Sequence, residues 1–257
     1  MLTIITFIKY IRSELISTNQ QSESNYMINP YDLFMLEQLM ELKKIFPCRI
    51  ISVTMGPLGC VEVVQRSIAF GIDDAFIISD PCFSGSDTFA TSYVLNQALN
   101  HIGQADIYAF GEKAIDGETG QTPIGVASRS NLQCITGVKA FCTVEKGKIV
   151  LMRQFADNLE NIEIFMPSVL CFKGFTTKEP QISLLKLKQS RKYTPIILNV
   201  KSLNIQKQDC GQNGSKTIVK NIVHTLHKRD VELLEGTPQL KADAFRKLIS
   251  ENGGNNC

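Results

Sequence analysis

Residues 107–122 read IYAFGEKAIDGETGQT, and this stretch decides the class of fold that the sequence predicts. Its first four residues are apolar and β-prone, and a loop rich in glycine and acidic residues follows them. A helical pattern begins directly after the loop. A strand, a glycine-rich loop and a helix in this order are typical of a parallel α/β sheet, in which ligands bind beyond the carboxyl ends of the strands.

The first two thirds of the chain repeat this alternation. Strand-like runs lie at 2–8, 49–55, 75–79 and 106–110, and helical patterns lie at 30–46, 60–70 and about 87–101. Strands that alternate with helices predict right-handed βαβ units and a parallel sheet. We therefore predict an α/β fold with a doubly wound, mostly parallel, Rossmann-like sheet and a C-terminal helical arm.

The last third has a different pattern. A hairpin is predicted at 138–155, a β-rich run at 162–172, a basic helix at 183–192 and a polar linker at 201–216. Two amphipathic segments follow, one at 217–228 and one that begins at Thr237-Pro238. Two short helices bury little surface by themselves. We therefore expect a domain at 1–200 and an arm at 201–257 that docks on a partner subunit.

Composition excludes several classes of partner. A net charge of +2 gives no indication of a nucleic-acid or membrane surface, and every apolar run is too short to span a bilayer. None of the eight cysteines lies in a C-x-x-C pair, so the sequence predicts neither a zinc site nor a disulfide framework. Met1 leads directly into a strand-like run, which favours a cytoplasmic protein.

The loop at 111–120 has features that suit a phosphate. Gly111, Gly117 and Gly120 allow the backbone to come close to a ligand, and Thr122 and the amides after Gly120 would lie at a helix start. However, the loop matches neither a P-loop nor a G-x-G-x-x-G motif. A plain strand-to-helix connection therefore stays open as the alternative.

Several motifs resemble a known family, the beta subunits of electron-transfer flavoproteins. G-E-K-A-I-D-G-E-T-G-Q at 111–121 is similar to the family's G-[RK]-Q-A-I-D-G-D-T-x-Q. I-N-P-Y-D at 28–32, M-G-P at 55–57 and E-G-T-P at 235–238 also resemble family motifs, as does the run S-D-x-x-F-S-G-S-D-x-x-A-T-S-Y at 79–93. Their order and spacing cover nearly the whole chain.

The resemblance implies an electron carrier subunit rather than a stand-alone enzyme. In this family an alpha subunit holds the FAD used for electron transfer, and the beta chain binds an adenine nucleotide. That nucleotide is a structural AMP in some members, and in the electron-bifurcating branch it is a second FAD reduced by NADH. The motifs at 28–32 and 79–93 are more similar to the second branch. The implied electron partners are acyl-CoA or hydroxy-acid dehydrogenases.

The resemblance also implies a set of cofactor contacts. They are Phe7, Lys9, Asn29, Pro30, Tyr31, Asp32, Met55, Gly111, Lys113, Ala114, Ile115, Asp116, Gly117, Glu118, Thr119, Gly120, Gln121 and Thr122. Simpler interpretations remain for four of them. Phe7 and Met55 could be core residues, Lys9 a solvated charge and Asn29 only a helix cap.

Departures from the family pattern leave the identity of the nucleotide open. Glu112 replaces a basic residue, Lys113 replaces glutamine, and Gln181 stands where the family has arginine. Asp116 and Glu118 have no nucleophile nearby, so we expect Asp116 to brace the turn rather than to act in acid/base catalysis. Two alternatives remain: a beta subunit whose AMP site serves only assembly, and a free-standing ATP-binding stress-type α/β protein.

Overall fold

A computed structural model of the chain describes residues 1–12, 26–218, 220 and 234–252. It divides the chain into two compact units, residues 1–218 and 219–257. The strands are β1 (Leu2–Phe7), β2 (Tyr10–Arg12), β3 (Tyr26–Ile28), β4 (Cys48–Met55), β5 (Asp74–Ile78), β6 (Ile107–Gly111), β7 (Gln133–Glu145), β8 (Lys148–Phe155), β9 (Asn158–Phe165), β10 (Ser168–Phe172) and β11 (Ile196–Leu198). The helices are α1 (Pro30–Ile45), α2 (Val61–Phe70), α3 (Thr88–Ile102), α4 (Gln121–Ser130), α5 (Leu184–Ser190), α6 (Gly211–Gly214) and α7 (Pro238–Asn252).

The first unit is built on a nine-stranded sheet in the order β11-β5-β4-β1-β6-β10-β7-β8-β9. The seven strands from β11 to β7 are parallel, and β8 and β9 extend the sheet in antiparallel fashion. Strands β2 and β3 form a separate antiparallel hairpin. The architecture confirms the predicted doubly wound, mostly parallel sheet.

Strand β1 lies in the middle of this sheet and is covered on both faces. Ile4 packs in a cluster with α1, whereas Ile5 and Phe7 pack in a second cluster with α3 and α4. Successive side chains of a strand point to opposite faces, so a strand between two helical layers needs apolar residues at consecutive positions. This explains why the adjacent residues Ile4 and Ile5 are both apolar.

Helix α1 forms where the sequence predicts it. Pro30 occupies the first turn, where its missing N–H costs nothing, and the buried residues Leu33, Leu36 and Leu39 form one apolar stripe. The stripe packs in the same cluster as Ile4 of β1. Consequently the first turn of α1 is held against the central strands of the sheet.

The order of the strands reverses at β1. Its neighbours are β4, with Phe7 opposite Val53, and β6, with Thr6 opposite Ala109. The chain leaves β1 toward the helical layer that contains α1, and leaves β6 toward the layer that contains α4. Such a switch point opens a crevice at the carboxyl edge of a parallel sheet.

The structure confirms the β-rich character of the region after α4. The hairpin around Glu145-Lys146-Gly147 is present as β7 and β8. The β-rich run predicted at 162–172 contains the end of β9 and the whole of β10, which are separated by Met166 and Pro167. They pair in different directions, because β9 lies antiparallel to β8 and β10 lies parallel between β6 and β7. A proline cannot donate to a sheet ladder, which is consistent with the break at this point.

The segment predicted as a linker, 201–216, lies within the first compact unit. Leu203, Ile205 and Cys210 are buried, and the Asp87 carboxylate accepts hydrogen bonds from the amides of Lys216 (2.7 Å) and Thr217 (2.9 Å). Strand β11, which the sequence did not predict, joins the segment to the edge of the sheet beside β5. The compact unit therefore extends to Ile218, because a few spaced apolar residues pack although the segment is polar on average.

The second compact unit contains α7. Thr237 precedes this helix and accepts a hydrogen bond at Oγ1 from the amide of Leu240 (3.4 Å), so the predicted cap and first-turn proline are confirmed. The other predicted amphipathic segment, 217–228, lies almost entirely outside the described residues. Among the residues that the structure describes, every helix is too short or too polar to cross a membrane.

We predict that Leu203→Ala destabilises the folded chain by about 2–4 kcal/mol, since it removes a buried side chain and leaves a cavity. The exposed neighbour Lys201 offers a matched control, and Lys201→Ala should change the free energy of unfolding by less than about 0.5 kcal/mol. Urea denaturation of both variants measures the difference. Equal stability of the two would mean that residues 201–216 behave as a linker after all.

Candidate functional site

The predicted site residues converge on one edge of the sheet. Phe7 ends β1, Met55 ends β4 and Gly111 ends β6, and all three strands are parallel neighbours. Lys9 follows β1, and the first turn of α1 lies beside it, because the amide of Asn29 donates to the carbonyl of Lys9 (2.9 Å). This is the crevice at the switch point.

Phe7, the last residue of β1, packs against an aromatic residue that the sequence did not single out. Its ring stacks on that of Phe110 with a centroid distance of 4.1 Å and an interplanar angle of 6°. Phe7 is only 5% exposed, and Met55 packs against the same cluster. Their packing role is therefore established, and a contact with a cofactor stays a prediction for both.

The Asp32 carboxylate joins the ends of β1 and β6. Its Oδ2 accepts a hydrogen bond from the amide of Lys9 (2.8 Å), and its Oδ1 accepts one from the amide of Gly111 (3.2 Å). Gly111 must come very close to α1 for this, since a Cβ at position 111 would overlap Asp32 Oδ1 and lie 2.8 Å from the Asp32 nitrogen. We call this arrangement of Lys9, Asp32 and Gly111 the Asp32 bridge.

Burial raises the pKa of the Asp32 carboxyl from its ordinary value of 3.8 to about 7. Hydrogen bonds from the Lys9 amide, the Asn29 side chain and the Gly111 amide oppose this rise, as does the charge of Lys9. Because the folded pKa exceeds the unfolded one, the group favours folding below about pH 4, and that contribution is lost as the pH rises to about 7. Above about pH 7, where Asp32 is ionised in the folded protein, the free energy of unfolding is therefore lower than it is in acid.

Asn29 holds the loop after β6 rather than capping its own helix. It occupies the N-cap position of α1, but its side chain makes no capping hydrogen bond. Instead, Nδ2 donates to the carbonyl of Lys113 (2.8 Å), and Oδ1 accepts from the amide of Ile115 (3.3 Å). The interpretation of Asn29 as only a helix cap is therefore wrong, because the loop offers its side chain two backbone partners.

The loop turns sharply before α4 begins. The amide of Glu118 donates to the carbonyl of Ala114 (2.8 Å), and Glu118 has φ = 50°. Gly120 is the N-cap residue with φ = 62°, a left-handed conformation that glycine adopts without strain. Gly120 has no side chain to cap the helix, and the amide of Gln121 makes only a long contact of 3.5 Å with Thr119 Oγ1. The first turn of α4 is therefore available to an anion.

Two lysines face the acidic residues of this loop. Lys9 Nζ lies 2.7 Å from the Asp116 carboxylate, and Lys113 Nζ lies 3.4 Å from that of Glu118. Asp116 therefore braces the loop, as expected. It does so through an ion pair with Lys9 in the segment that follows β1, and not only through contacts within its own turn. Both pairs are partly exposed, so their contribution to stability is small.

Two residues that the sequence pattern did not indicate, Phe175 and Thr88, contact the predicted site residues. The Tyr31 ring meets that of Phe175 edge to face at 5.3 Å, and Lys113 Nζ lies 5.5 Å from the centre of the Tyr31 ring. The Thr88 hydroxyl donates to Gln121 Oε1 (2.8 Å), which ties α3 to the start of α4. These partners come from distant parts of the chain, so no local pattern could have indicated them.

Two of the departures from the family pattern can be located. The amide of Glu112 donates to the carbonyl of Phe172 (3.0 Å), which joins the loop to β10. Gln181 is exposed, and the nearby Glu179 pairs with Arg66 at 2.6 Å. The backbone at position 112 is thus fixed in the sheet edge although the residue type differs.

Comparison with known proteins identifies the family. Residues 19–173 match the model of the electron transfer flavoprotein domain. The chain belongs to the electron-transfer flavoprotein family. Three relatives illustrate the match: the caffeyl-CoA reductase-Etf complex subunit CarD of Acetobacterium woodii, with 30% identity over 82% of this chain and 80% of that protein; the acryloyl-CoA reductase electron transfer subunit gamma of Anaerotignum propionicum, with 29% over 88% and 87%; and the protein FixA of Azotobacter vinelandii, with 36% over 56% and 53%.

These matches show the family of the chain, and they do not show which ligand it binds. The FixA match spans about half the length of that relative, whereas the CarD match spans four fifths. An electron transfer flavoprotein subunit from Thermoanaerobacterium thermosaccharolyticum, described as subunit beta, is 29% identical over 75% of this chain. The chain is accordingly of the beta type, as its motifs predict.

We predict that Gly111→Ala destabilises the protein by about 1–3 kcal/mol, because the new methyl group would overlap the Asp32 side chain and press on its backbone. Gly117→Ala is the matched control in the same loop, since a Cβ there meets nothing within 4 Å. Thermal or urea unfolding of both variants tests the close approach. A Gly111→Ala variant as stable as Gly117→Ala would contradict the geometry of the Asp32 bridge.

Proposed function

We propose that this protein is the beta subunit of an electron-transfer flavoprotein heterodimer and that it binds FAD at the switch-point crevice. In this role it passes electrons between NADH or dehydrogenases and partner acceptors, without itself making or breaking bonds in a substrate. The observation that supports the proposal most is the loop at 111–120, which ends in a left-handed glycine at the uncapped start of α4. It lies where α/β sheets bind nucleotides.

The residues at the crevice fit an adenine nucleotide. The first-turn amides of α4, Gln121 and Thr122, offer donors to a phosphate, and the helix dipole favours a negative charge there. Lys9 and Lys113 supply two positive charges at the rim. Gly117 leaves open space where a side chain would stand. These features match the charge and the shape of a pyrophosphate group.

The remaining predicted contacts would shape the pocket. Phe7 and Met55 would lie at its floor, and Pro30 and Tyr31 would form a wall at the start of α1. Asn29 would hold the loop in place through its hydrogen bond to the Lys113 carbonyl. The other loop residues, Ala114, Ile115, Asp116, Glu118 and Thr119, would contribute backbone groups. Bound FAD would supply the redox chemistry, and the protein would position it and exclude water.

An exchange of ion-pair partners is expected when the cofactor binds. Lys9 is paired with Asp116 in this structure, and both side chains are partly exposed. A phosphate near the start of α4 would compete with the Asp116 carboxylate for the Lys9 ammonium group. Because the exposed pair is weak, the exchange would cost little free energy.

The partners are proposed from the family and from the names of relatives. An alpha subunit would complete the heterodimer, with the C-terminal arm docking on it. Two relatives are named as parts of caffeyl-CoA and acryloyl-CoA reductase systems, which favours a dehydrogenase of the acyl-CoA class over a hydroxy-acid dehydrogenase. The composition and the proposed partners suit a cytoplasmic protein that contacts neither nucleic acid nor membrane.

A structural AMP is the second candidate ligand. The three acidic residues of the loop, Glu112, Asp116 and Glu118, oppose the phosphate of AMP and the pyrophosphate of FAD alike, so the charge of the loop does not decide between them. We predict two FAD molecules for each purified heterodimer. Flavin absorbance and chromatography of the released nucleotides measure this content. One FAD and one AMP for each pair would support the assembly-only alternative instead.

We also predict that Asp116→Ala combined with Gly120→Leu empties the beta site and spares the alpha flavin. Leucine is strained at φ = 62°, and its Cβ would lie 3.2 Å from the Glu112 carbonyl oxygen. The nucleotide content of the purified heterodimer measures the loss, and Lys201→Ala, at an exposed position outside the predicted contacts, is the control that should retain both cofactors. If the double variant still holds both, the site lies elsewhere.

A further inference from the structure

We propose that Asp32 is a positioning residue, and that its ionised carboxylate sets the spacing of the two segments that bind the nucleotide. The inference rests on the proposed nucleotide site and assigns Asp32 a different role from a direct cofactor contact. Protonation of Asp32 would release one of these segments and weaken binding. The site would therefore respond to pH near neutrality.

The geometry argues against a direct contact between Asp32 and a ligand. Only 5% of Asp32 is exposed, and both carboxylate oxygens already accept backbone hydrogen bonds. Because the side chain is this buried, a nucleotide has little access to the acceptor sites that remain on these oxygens. An anionic carboxylate would also repel a phosphate at close range.

The two amides that Asp32 holds belong to the segments that would bind the phosphates. Lys9 contributes its side chain to the rim, opposite Asp116. Gly111 is the last residue of β6 and leads directly into the loop that ends at Gly120. The distance between the Lys9 ammonium group and the start of α4 therefore depends on the Asp32 bridge.

Protonation would break half of this bridge. An ionised carboxylate accepts at both oxygens, whereas a neutral one carries a hydroxyl group that must donate. One oxygen would then meet an amide N–H with a hydrogen of its own, and that amide would lose its partner. A backbone amide left unpaired in a buried position is costly, so the local structure would rearrange.

The surroundings of Asp32 place its titration in the neutral range. Lys9 faces it from the segment after β1 and is itself paired with Asp116, and the buried hydroxyl of Tyr10 in β2 lies within electrostatic reach. Asn29 at the start of α1 and Gly111 at the end of β6 complete the enclosure. Burial dominates over these partners and raises the carboxyl pKa to about 7.

The first experiment needs no nucleotide. Amide hydrogen exchange of the heterodimer should show protection factors at Lys9 and Gly111 that fall below about pH 7, because only the ionised carboxylate holds both amides. In Asp32→Asn, whose side chain accepts at one oxygen only, protection should be lowered at all pH values. Asp74→Asn, at the start of β5, is a matched control and should leave both amides protected.

The second experiment measures binding of FAD, whose pyrophosphate diester does not titrate near neutrality, to heterodimer with a filled alpha site. If only the ionised form is competent, the dissociation constant should fall about tenfold between pH 6 and pH 8. Asp32→Asn should bind at least about tenfold more weakly than the wild type at pH 8 and show no such pH dependence. Asp74→Asn should follow the wild-type profile.

The outcomes separate this inference from the proposed function. A wild type that binds no adenine nucleotide would refute the proposed function, while the exchange data would still decide whether Asp32 joins the two segments. A wild type that binds FAD equally well at pH 6 and pH 8, or an Asp32→Asn variant with the wild-type profile, would overturn the inference alone. If Asp32→Asn does not fold, the pH dependence of wild-type exchange and binding still tests it.

Discussion

The crevice depends on two hydrogen bonds to one buried carboxyl group. At the switch point the chain leaves β1 toward one helical layer and β6 toward the other. The segments that follow these two strands therefore diverge, and no direct chain connection holds them together. Asp32 spans them from the first turn of α1, with one oxygen on each backbone amide. Its position follows from the packing of α1, whose apolar stripe fixes the helix on the central strands.

Asn29 extends the same support to the loop. It lies three residues before Asp32, and its amide group binds the backbone at Lys113 and Ile115. The start of α1 thus organises both the entrance to the loop, at Gly111, and its middle. The N-P-Y-D run at 29–32 is therefore best understood as a support for the loop, with a packing role for Pro30 and a rim position for Tyr31.

Burial and hydrogen bonding oppose each other at Asp32. Burial of Asp32 favours its neutral form, whereas the two amides favour the ionised form that accepts from both. A carboxyl group in such a balance titrates near neutral pH and not near its ordinary value of 3.8. Perturbed carboxyl groups of this kind concentrate at functional sites, because a stable core would use an apolar residue instead.

The sequence by itself determined the alternation of strands and helices, the parallel sheet, the glycine-rich loop and the family, because each depends on local pattern or on motifs with fixed spacing. Only the tertiary structure decided what those residues do. Asn29 has the local signature of a helix cap, yet its partners lie more than eighty residues away. The segment at 201–216 is polar on average, yet Leu203 and Ile205 are buried in the same cluster as residues of α3 and α4. Partners that are distant along the chain leave no periodic signal, so their contacts become visible only when the fold brings the strand ends together.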